Sequence, residues 1–200
     1  VLEAARKINI SIPTLCYHPF LKPVGSCRIC AVEIEGWRGL PGACSTLVTD
    51  GMVVHTHTPK VLEFRREVLR SIMEKHPEAF IECKTKSCEL QRLIEEVGIE
   101  PDYTGPIEKR YPIKDGGPFF IRDYNLCVNC GRCVRICHEV RGVGAIVFRE
   151  TDGRQEVGTP LDKALEEVGC QFCGACLDVC PTGALKEVLP EPGEKKDLSE

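Results

Sequence analysis

Two runs of four cysteines share one spacing in the C-terminal half of the chain. Each reads C-x2-C-x2-C-x3-C, with Cys127, Cys130, Cys133 and Cys137 in the first run and Cys170, Cys173, Cys176 and Cys180 in the second. Thiolates at this spacing bind [4Fe-4S] clusters, and the fourth cysteine of each run binds the cluster of the other run. The spacing therefore predicts one cluster on Cys127, Cys130, Cys133 and Cys180, and a second on Cys170, Cys173, Cys176 and Cys137.

Zinc is the alternative ligand for such cysteines, but zinc takes pairs of ligands around one tetrahedral ion with a spacer between the pairs. Two runs of four fit that arrangement badly. Pro181 after the second run matches the two-cluster ferredoxin phrase, whereas His138 stands in that place after the first run and is predicted to end a helix without binding metal. Gly131 and Gly174 are interpreted as positions where the backbone passes close to inorganic sulfide.

A second set of cysteines lies near the N-terminus, with the spacing C-x10-C-x2-C-x13-C for Cys16, Cys27, Cys30 and Cys44. Alternating residues over Ile29–Ile34 and Met52–Thr56 predict strands that flank these loops, and Glu35-Gly36 reads as a turn. A [2Fe-2S] cluster needs four thiolates, and plant-type ferredoxins supply them as C-x4-C-x2-C with a distant fourth. In this chain the first two cysteines, Cys16 and Cys27, are separated by a longer gap than in that pattern.

The stretches SIPTLCYHP, GSCRICAVEIEG, LPGACSTLV and GMVVHT resemble an N-terminal [2Fe-2S] domain. That domain is shared by the large iron-sulfur subunit of respiratory NADH dehydrogenase, iron-only hydrogenases, NAD-linked formate dehydrogenases and the diaphorase small subunit of NAD-linked nickel-iron hydrogenases. The resemblance implies a β-grasp domain whose cluster is held by Cys16, Cys27, Cys30 and Cys44. A four-cysteine zinc site is the alternative.

The chain departs from this family in the next segment, KHPEAFIECKTKSCELQ. The family pattern there is H-x3-C-x2-C-x5-C, which holds a further [4Fe-4S] cluster. His76 is present, Phe80 replaces the first cysteine, Cys83 matches the second, and Cys88 arrives one residue early. One histidine and two thiolates do not complete a four-ligand site, so we expect the cluster to be lost and the helical module to remain as a spacer. Zinc, or a cluster completed by Glu82, is the alternative.

Hydrophobic periodicity and capping residues place the other elements. Val1–Ile8 reads as a helix, and Thr58 and Pro59 begin a second one whose stripe of Val61, Leu62, Val68, Leu69, Ile72 and Met73 predicts core packing. A third covers Glu89–Val97 and ends at Gly98, and His55 and His57 are predicted at the surface. Phe119–Ile121 is predicted to pair with Ala145–Arg149, followed by a hairpin and a helix over Leu161–Val168.

These elements predict an α+β chain of several modules. The predicted boundaries are a [2Fe-2S] domain (1–58), a helical module (59–100), a linker (101–118), a two-[4Fe-4S] ferredoxin-like domain (119–190) and a charged tail (191–200). Because the chain opens at Val1 in a helical pattern and without methionine, we expect a further N-terminal piece to precede it.

Composition restricts the function further. Fourteen cysteines spaced for cluster ligation indicate a reducing, cytoplasmic compartment instead of a disulfide framework. A net charge of −4 argues against nucleic-acid partners, and no apolar run approaches the length of a membrane span. The sequence holds no dinucleotide fingerprint, P-loop or nucleophile elbow, so we predict that the chain moves electrons and catalyses no reaction itself.

The cofactors predict an electron-transfer subunit that relays single electrons. The expected partners, implied by the resemblance, are a flavin-containing subunit that oxidises NAD(P)H and a catalytic subunit of the hydrogenase or formate dehydrogenase type. The alternative is the N-terminal relay region of a longer catalytic oxidoreductase chain, and a zinc-bearing structural adaptor is a third reading. Arg132, Arg135 and Arg141 lie around the first cysteine run, where they are hypothesised to tune the cluster potential or to dock an acidic partner.

Overall fold

The computed structural model describes residues 1–74, 88–99, 111, 113–115, 119–151 and 153–187. In chain order the helices are α1 (Leu2–Lys7), α2 (Pro59–Met73), α3 (Glu89–Val97), α4 (Arg132–Arg135) and α5 (Ala175–Asp178). The strands are β1 (Glu33–Ile34), β2 (Val54–His55), β3 (Lys114–Asp115), β4 (Phe120–Arg122), β5 (Val147–Thr151), β6 (Arg154–Gly158) and β7 (Leu185–Glu187). The described chain therefore mixes helices and mainly antiparallel strands, as the sequence predicted.

The N-terminal region is built largely from loops around a small apolar core. β1 and β2 pair antiparallel, with Glu33 opposite His55, and Ala31 forms an isolated bridge with Gly42. Both strands are shorter than the predicted Ile29–Ile34 and Met52–Thr56. The first begins late because residues 28–31 form a turn, in which Arg28 has φ +62° and the Ala31 N–H donates to the Arg28 carbonyl at 3.2 Å. The exposed positions of His55 and His57 are confirmed.

Helix α2 begins where the sequence predicted. The backbone N–H of Val61 donates to the Thr58 hydroxyl at 3.3 Å, and Pro59 opens the first turn. Val61, Leu69 and Met73 are buried on one face. The same face also buries Arg65, of which 1% is exposed, a position that the apolar stripe did not indicate.

Helix α3 lies in a shared core between the modules. It ends at Gly98 in the left-handed conformation, as predicted. Leu90, Leu93 and Ile94 pack with residues of α2 and with Leu15 and Ile29 of the N-terminal region. The helix therefore connects the N-terminal region to the rest of the chain through apolar contacts.

The predicted pairing of Phe119–Ile121 with Ala145–Arg149 is wrong. β4 instead lies between β3 and β7, with Ile121 opposite both Asp115 and Lys186. β5 pairs with β6 in a tight hairpin, where Thr151 faces Arg154 and Gly153 has φ +72°. Because this short turn lets residues 147–151 pair locally, β4 pairs with the last strand of the module instead. Strand β3 (Lys114–Asp115) lies inside residues 101–118, which the sequence analysis predicted to be a linker.

The predicted helix over Leu161–Val168 is also wrong. Residues Pro160–Asp162 form a single 3-10 turn in which Leu161 and Asp162 have positive φ. The Thr159 hydroxyl donates to the Lys163 carbonyl at 2.6 Å, and the Glu167 carboxylate accepts from the Ala164 N–H at 3.0 Å. These local side-chain bonds satisfy backbone groups that a helix would otherwise use.

An ion pair joins α3 to α4. The Arg132 guanidinium donates to both Glu89 carboxylate oxygens, at 2.7 and 2.9 Å, and the Glu89 N–H donates to the Pro181 carbonyl at 2.8 Å. The Arg132 side chain is 3% exposed and that of Glu89 is 32% exposed.

Within the part of the chain that the structure describes, no helix is long and apolar enough to cross a bilayer.

Replacing Glu89→Ala is expected to destabilise the protein by about 2 kcal/mol, because it removes the carboxylate that offsets the buried charge of Arg132. This loss of stability is smaller than the loss expected for a fully buried ion pair, because the Glu89 side chain is partly exposed. The measurement is thermal unfolding followed by loss of visible absorbance, where about 1 kcal/mol shifts the midpoint by roughly 2–4 °C in a chain of this size.

Glu63→Ala is the matched control, since Glu63 pairs with Arg66 and Arg70 at 3.3 and 3.5 Å on an exposed surface. Its midpoint should move by less than about 1 °C, because exposed pairs contribute little. Adding Arg132→Met to Glu89→Ala should recover part of the loss. Equal shifts for the Glu63 and Glu89 variants would contradict the assignment of the α3–α4 pair as a stabilising contact.

Candidate metal centres

One cavity in the C-terminal region, with about 330 Å³ of space including its mouth open to solvent, is lined by four cysteines, which are Cys127, Cys130, Cys133 and Cys180. Tyr124, Val157 and Leu185 complete the apolar part of its wall. Burial raises the pKa of Cys127 to about 12 and that of Cys130 to about 11, and it raises the pKa of Cys133 well above its usual value. Thiolates in this cavity therefore need a positive partner such as iron.

A second cavity, with about 380 Å³ of space on the same measure, is lined by Cys137, Cys170, Cys173 and Cys176. Burial raises the pKa of Cys176 to about 12 and that of Cys170 in the same direction, while Cys173 is exposed. Phe120, Ile146 and Phe172 form the apolar wall. The structure therefore brings each run's first three cysteines together with the fourth of the other run, and the two cavities are similar in size.

The two runs fold in the same way locally. Asn129 and Phe172 both adopt positive φ, and the backbone N–H of each donates to the sulfur two residues earlier, Cys127 or Cys170, at 3.4 Å. Such N–H···S bonds stabilise negative charge on the sulfur. Neither Asn129 nor Phe172 stood out in the sequence, because the left-handed conformation is usually indicated by glycine.

A glycine then begins the short helix of each run. Gly131 has φ +69° before α4, and Gly174 has φ +74° before α5. Cys133 and Cys176 lie on these helices, and the fourth cysteine of each run, Cys137 or Cys180, follows shortly after its helix ends. At Gly131 a Cβ atom would lie 2.6 Å from the Phe148 ring, so this glycine is also required by side-chain packing, which the sequence did not indicate.

The four N-terminal cysteines lie in two hydrogen-bonded pairs. The N–H groups of Cys16 and Cys27 donate to each other's sulfur, at 3.4 and 3.5 Å. Hydrogen bonding to Cys27 lowers the pKa of Cys16 to about 5, and hydrogen bonding to Cys44 lowers that of Cys30 to about 7. The thiol that donates in each pair, Cys27 or Cys44, has its pKa raised. Cys16 also acts electrostatically on Cys30, so the pairs face one another.

The donor set fits [2Fe-2S] chemistry. Four sulfurs from three loops converge, and the backbone N–H groups of Cys16 and Cys27 donate to two of them, which favours the thiolate form. Within the described ranges, no three His, Cys, Asp or Glu side chains are grouped as they would be around a single metal ion.

His76 and Cys83 of the altered third module lie outside the described residues, so the expected loss of its cluster stays a prediction. Cys88 is described and is 4% exposed at the start of α3, packed in the core that contains Leu90 and Leu93. His138 lies in the π turn Ile136–Val140 after α4, the helix-end position that was predicted.

Comparisons with known proteins agree with the two regions. Residues 1–59 match the family described as 2Fe-2S iron-sulfur cluster binding domain, and residues 126–184 match the 4Fe-4S dicluster domain. The first range holds the four N-terminal cysteines, and the second holds both C-terminal runs.

Three similar proteins are larger than the chain. NADP-reducing hydrogenase subunit HndD of Solidesulfovibrio fructosivorans is 40% identical over 94% of this chain and 33% of its own length. A subunit of the NADH-quinone oxidoreductase of Rhizobium meliloti is 40% identical over 92% of this chain and 22% of its own length. A crystal structure of NAD+-reducing [NiFe]-hydrogenase in the H2-reduced state superposes with a TM-score of 0.83 at 26% identity, covering 97% of this chain and 82% of that one.

Reciprocal serine variants test the crossed ligand sets. Cys137→Ser is expected to damage the centre shared with Cys170, because Cys137 lines that cavity, and Cys180→Ser should damage the centre shared with Cys127. Electron paramagnetic resonance of the reduced protein reports each loss. Each variant is the control for the other, and the reverse pattern of lost signals would contradict the crossed assignment.

Proposed function

Since the chain carries one [2Fe-2S] cluster in a 2Fe-2S domain and two [4Fe-4S] clusters in a 4Fe-4S dicluster domain, we propose that it relays single electrons between a flavin-containing, NAD(P)H-oxidising subunit and a catalytic subunit of the hydrogenase or formate dehydrogenase type. The observation that carries the proposal is the convergence of twelve cysteines in three groups. Iron-sulfur clusters supply reversible one-electron chemistry with little change in shape.

The proposed ligands of the [2Fe-2S] cluster are Cys16, Cys27, Cys30 and Cys44. The proposed sets for the two cubes are Cys127, Cys130, Cys133 and Cys180 for the inner cube, and Cys137, Cys170, Cys173 and Cys176 for the outer cube. The cavity linings and the paired N-terminal thiols support these sets. We also assign a β-grasp topology to the N-terminal domain, and we retain 1–58, 59–100 and 119–190 as module boundaries.

The order of the clusters follows from which cysteines lie within electrostatic reach of one another. Cys16 of the [2Fe-2S] site acts on Cys130 of the inner cube, and Cys176 of the outer cube acts on Cys133. These two interactions support a position of the inner cube between the other two centres, and Cys133 is its buried member. We propose the path [2Fe-2S] cluster, inner cube, outer cube.

The protein's own groups prepare each centre for an added electron. Backbone N–H groups at Cys16, Cys27, Asn129 and Phe172 donate to ligand sulfurs and so stabilise the extra negative charge of a reduced cluster. The apolar wall formed by Tyr124, Val157 and Leu185 limits water at the inner cube. The exposed Cys173 marks the outer cube as an exit toward a partner.

A second candidate is the relay region of a longer catalytic polypeptide. The chain spans about a third of the hydrogenase subunit and about a fifth of the quinone oxidoreductase subunit that it resembles. Those relatives contain this kind of segment within a larger chain. The size of the protein isolated from its native source, seen on a denaturing gel, distinguishes the two candidates.

Iron analysis after anaerobic purification tests the cluster content. Two irons in the rhombic cluster and four in each cube predict about ten irons and ten labile sulfides per chain. About fourteen would show that the altered third module still holds a cluster. A colourless protein loaded with zinc would contradict the proposed function.

A variant that lacks the inner cube tests whether electrons pass through this cube on their way to the outer cube. In Cys133→Ser, electrons supplied by a flavin subunit should still reduce the [2Fe-2S] cluster while reduction of the outer cube slows at least tenfold, because the inner cube connects them. Stopped-flow absorbance with freeze-quenched resonance samples resolves the two steps. Arg38→Gln is the control, because Arg38 is exposed and belongs to none of the three cysteine groups. Unchanged outer-cube reduction in a variant lacking the inner cube would exclude the proposed order.

A further inference from the structure

Arg65 is a charged residue in the apolar face of α2. Its side chain is 1% exposed, and Nη2 donates to the Ala31 carbonyl at 2.8 Å. Ala31 follows Cys30, a proposed [2Fe-2S] ligand. The Nε atom of Arg65 has no hydrogen-bond partner in the described part of the chain. Burial lowers the pKa of Arg65, and the negative charge of Cys30 acts in the opposite direction.

Arg135 reaches the same centre from the other side of the molecule. It lies on α4 between Cys133 and Cys137, which belong to different cubes, and it is 8% exposed. Nη2 donates to the Cys16 carbonyl at 2.6 Å and Nη1 to the Lys22 carbonyl at 2.7 Å. A residue of the dicluster region is thus bonded directly to the backbone of a proposed [2Fe-2S] ligand.

Neither guanidinium forms an ion pair with any described carboxylate, whereas the similarly buried Arg132 is paired with Glu89. Glu96 acts on Arg65 electrostatically, but less strongly than Cys30 does. A buried charge without a counter-charge is costly, even when carbonyl oxygens accept its hydrogen bonds. The nearby anionic group that the donor set requires is the iron-thiolate centre itself. Its negative charge would offset both arginines, and theirs would offset the cluster.

We propose that Arg65 and Arg135 are positioning residues that raise the reduction potential of the [2Fe-2S] centre from outside its own domain. The inference rests on the proposed function, since it needs the cluster to be present. A reduced cluster carries one more negative charge than an oxidised one, so a fixed positive charge stabilises the reduced form. Because the two arginines belong to α2 and α4, the potential depends on both modules being docked against the N-terminal domain.

The test measures midpoint potentials in the full chain by resonance-monitored titration of Arg65→Met and Arg135→Gln. At a fixed solution potential, each variant should raise the ratio of oxidised to reduced [2Fe-2S] cluster about tenfold. For a one-electron couple this corresponds to a midpoint potential lower by 59 mV. In Arg65→Met the outer cube should shift by less than about threefold, because Arg65 contacts the N-terminal ligand loop at Ala31. Arg65→Lys and Arg135→Lys keep the charge and should restore most of the potential.

Arg38→Gln is the control, since this arginine is exposed in the same domain and solvent screens its charge. Iron content, measured first, separates failure of this inference from failure of the proposed function. A fully loaded Arg65→Met or Arg135→Gln protein with an unshifted [2Fe-2S] potential would overturn the inference. If a neutral variant fails to load iron, the inference requires the lysine variant at the same position to load iron and to keep the [2Fe-2S] potential. A lysine variant that also fails to load iron would overturn the inference, because it would show that the shape of the arginine side chain is required and not its charge.

Discussion

The grouping of buried cysteine sulfurs is the constraint on which the rest of the structure depends. Burial alone favours the neutral thiol at Cys127, Cys130 and Cys133, so these side chains can act as ligands only when a cation offsets the charge of their thiolates. The surrounding elements are short, with two-residue strands at β1 and β2 and four-residue helices at α4 and α5. Metal-thiolate bonds are therefore expected to supply much of the folding energy.

The modules are joined by contacts that also determine the electrostatics of the path. Glu89 neutralises Arg132 at the junction of α3 and α4, while Arg135 extends from α4 to the Cys16 carbonyl. Leu21, Ile136 and Val179 form a small apolar cluster at the same junction. Docking of the N-terminal and dicluster regions thus places a charge and two cluster-binding loops together, which links the relative position of the modules to electron transfer.

The sequence predicted the features that are local and failed where they are not. Cysteine spacing predicted which cysteines line the same cavity, since three of each set lie within seven residues, and capping residues predicted the start of α2 and the end of α3. The β4 partner was wrong because pairing with β7 spans more than sixty residues and leaves no local pattern. Leu161–Val168 was wrong because side-chain bonds to the backbone replace helical ones. Arg65 was missed because it lies within an apolar stripe, and hydrophobic periodicity does not indicate a buried charge there.

Mössbauer spectroscopy of iron-57-loaded, oxidised protein tests the central claim most directly, because it distinguishes iron by cluster type. The account predicts about one fifth of the iron as the ferric pair of a [2Fe-2S] cluster and about four fifths as mixed-valence iron of [4Fe-4S] cubes, in proportion to the ligand sets. Isolated ferrous or ferric ions, or a single cluster type accounting for all of the iron, would contradict it.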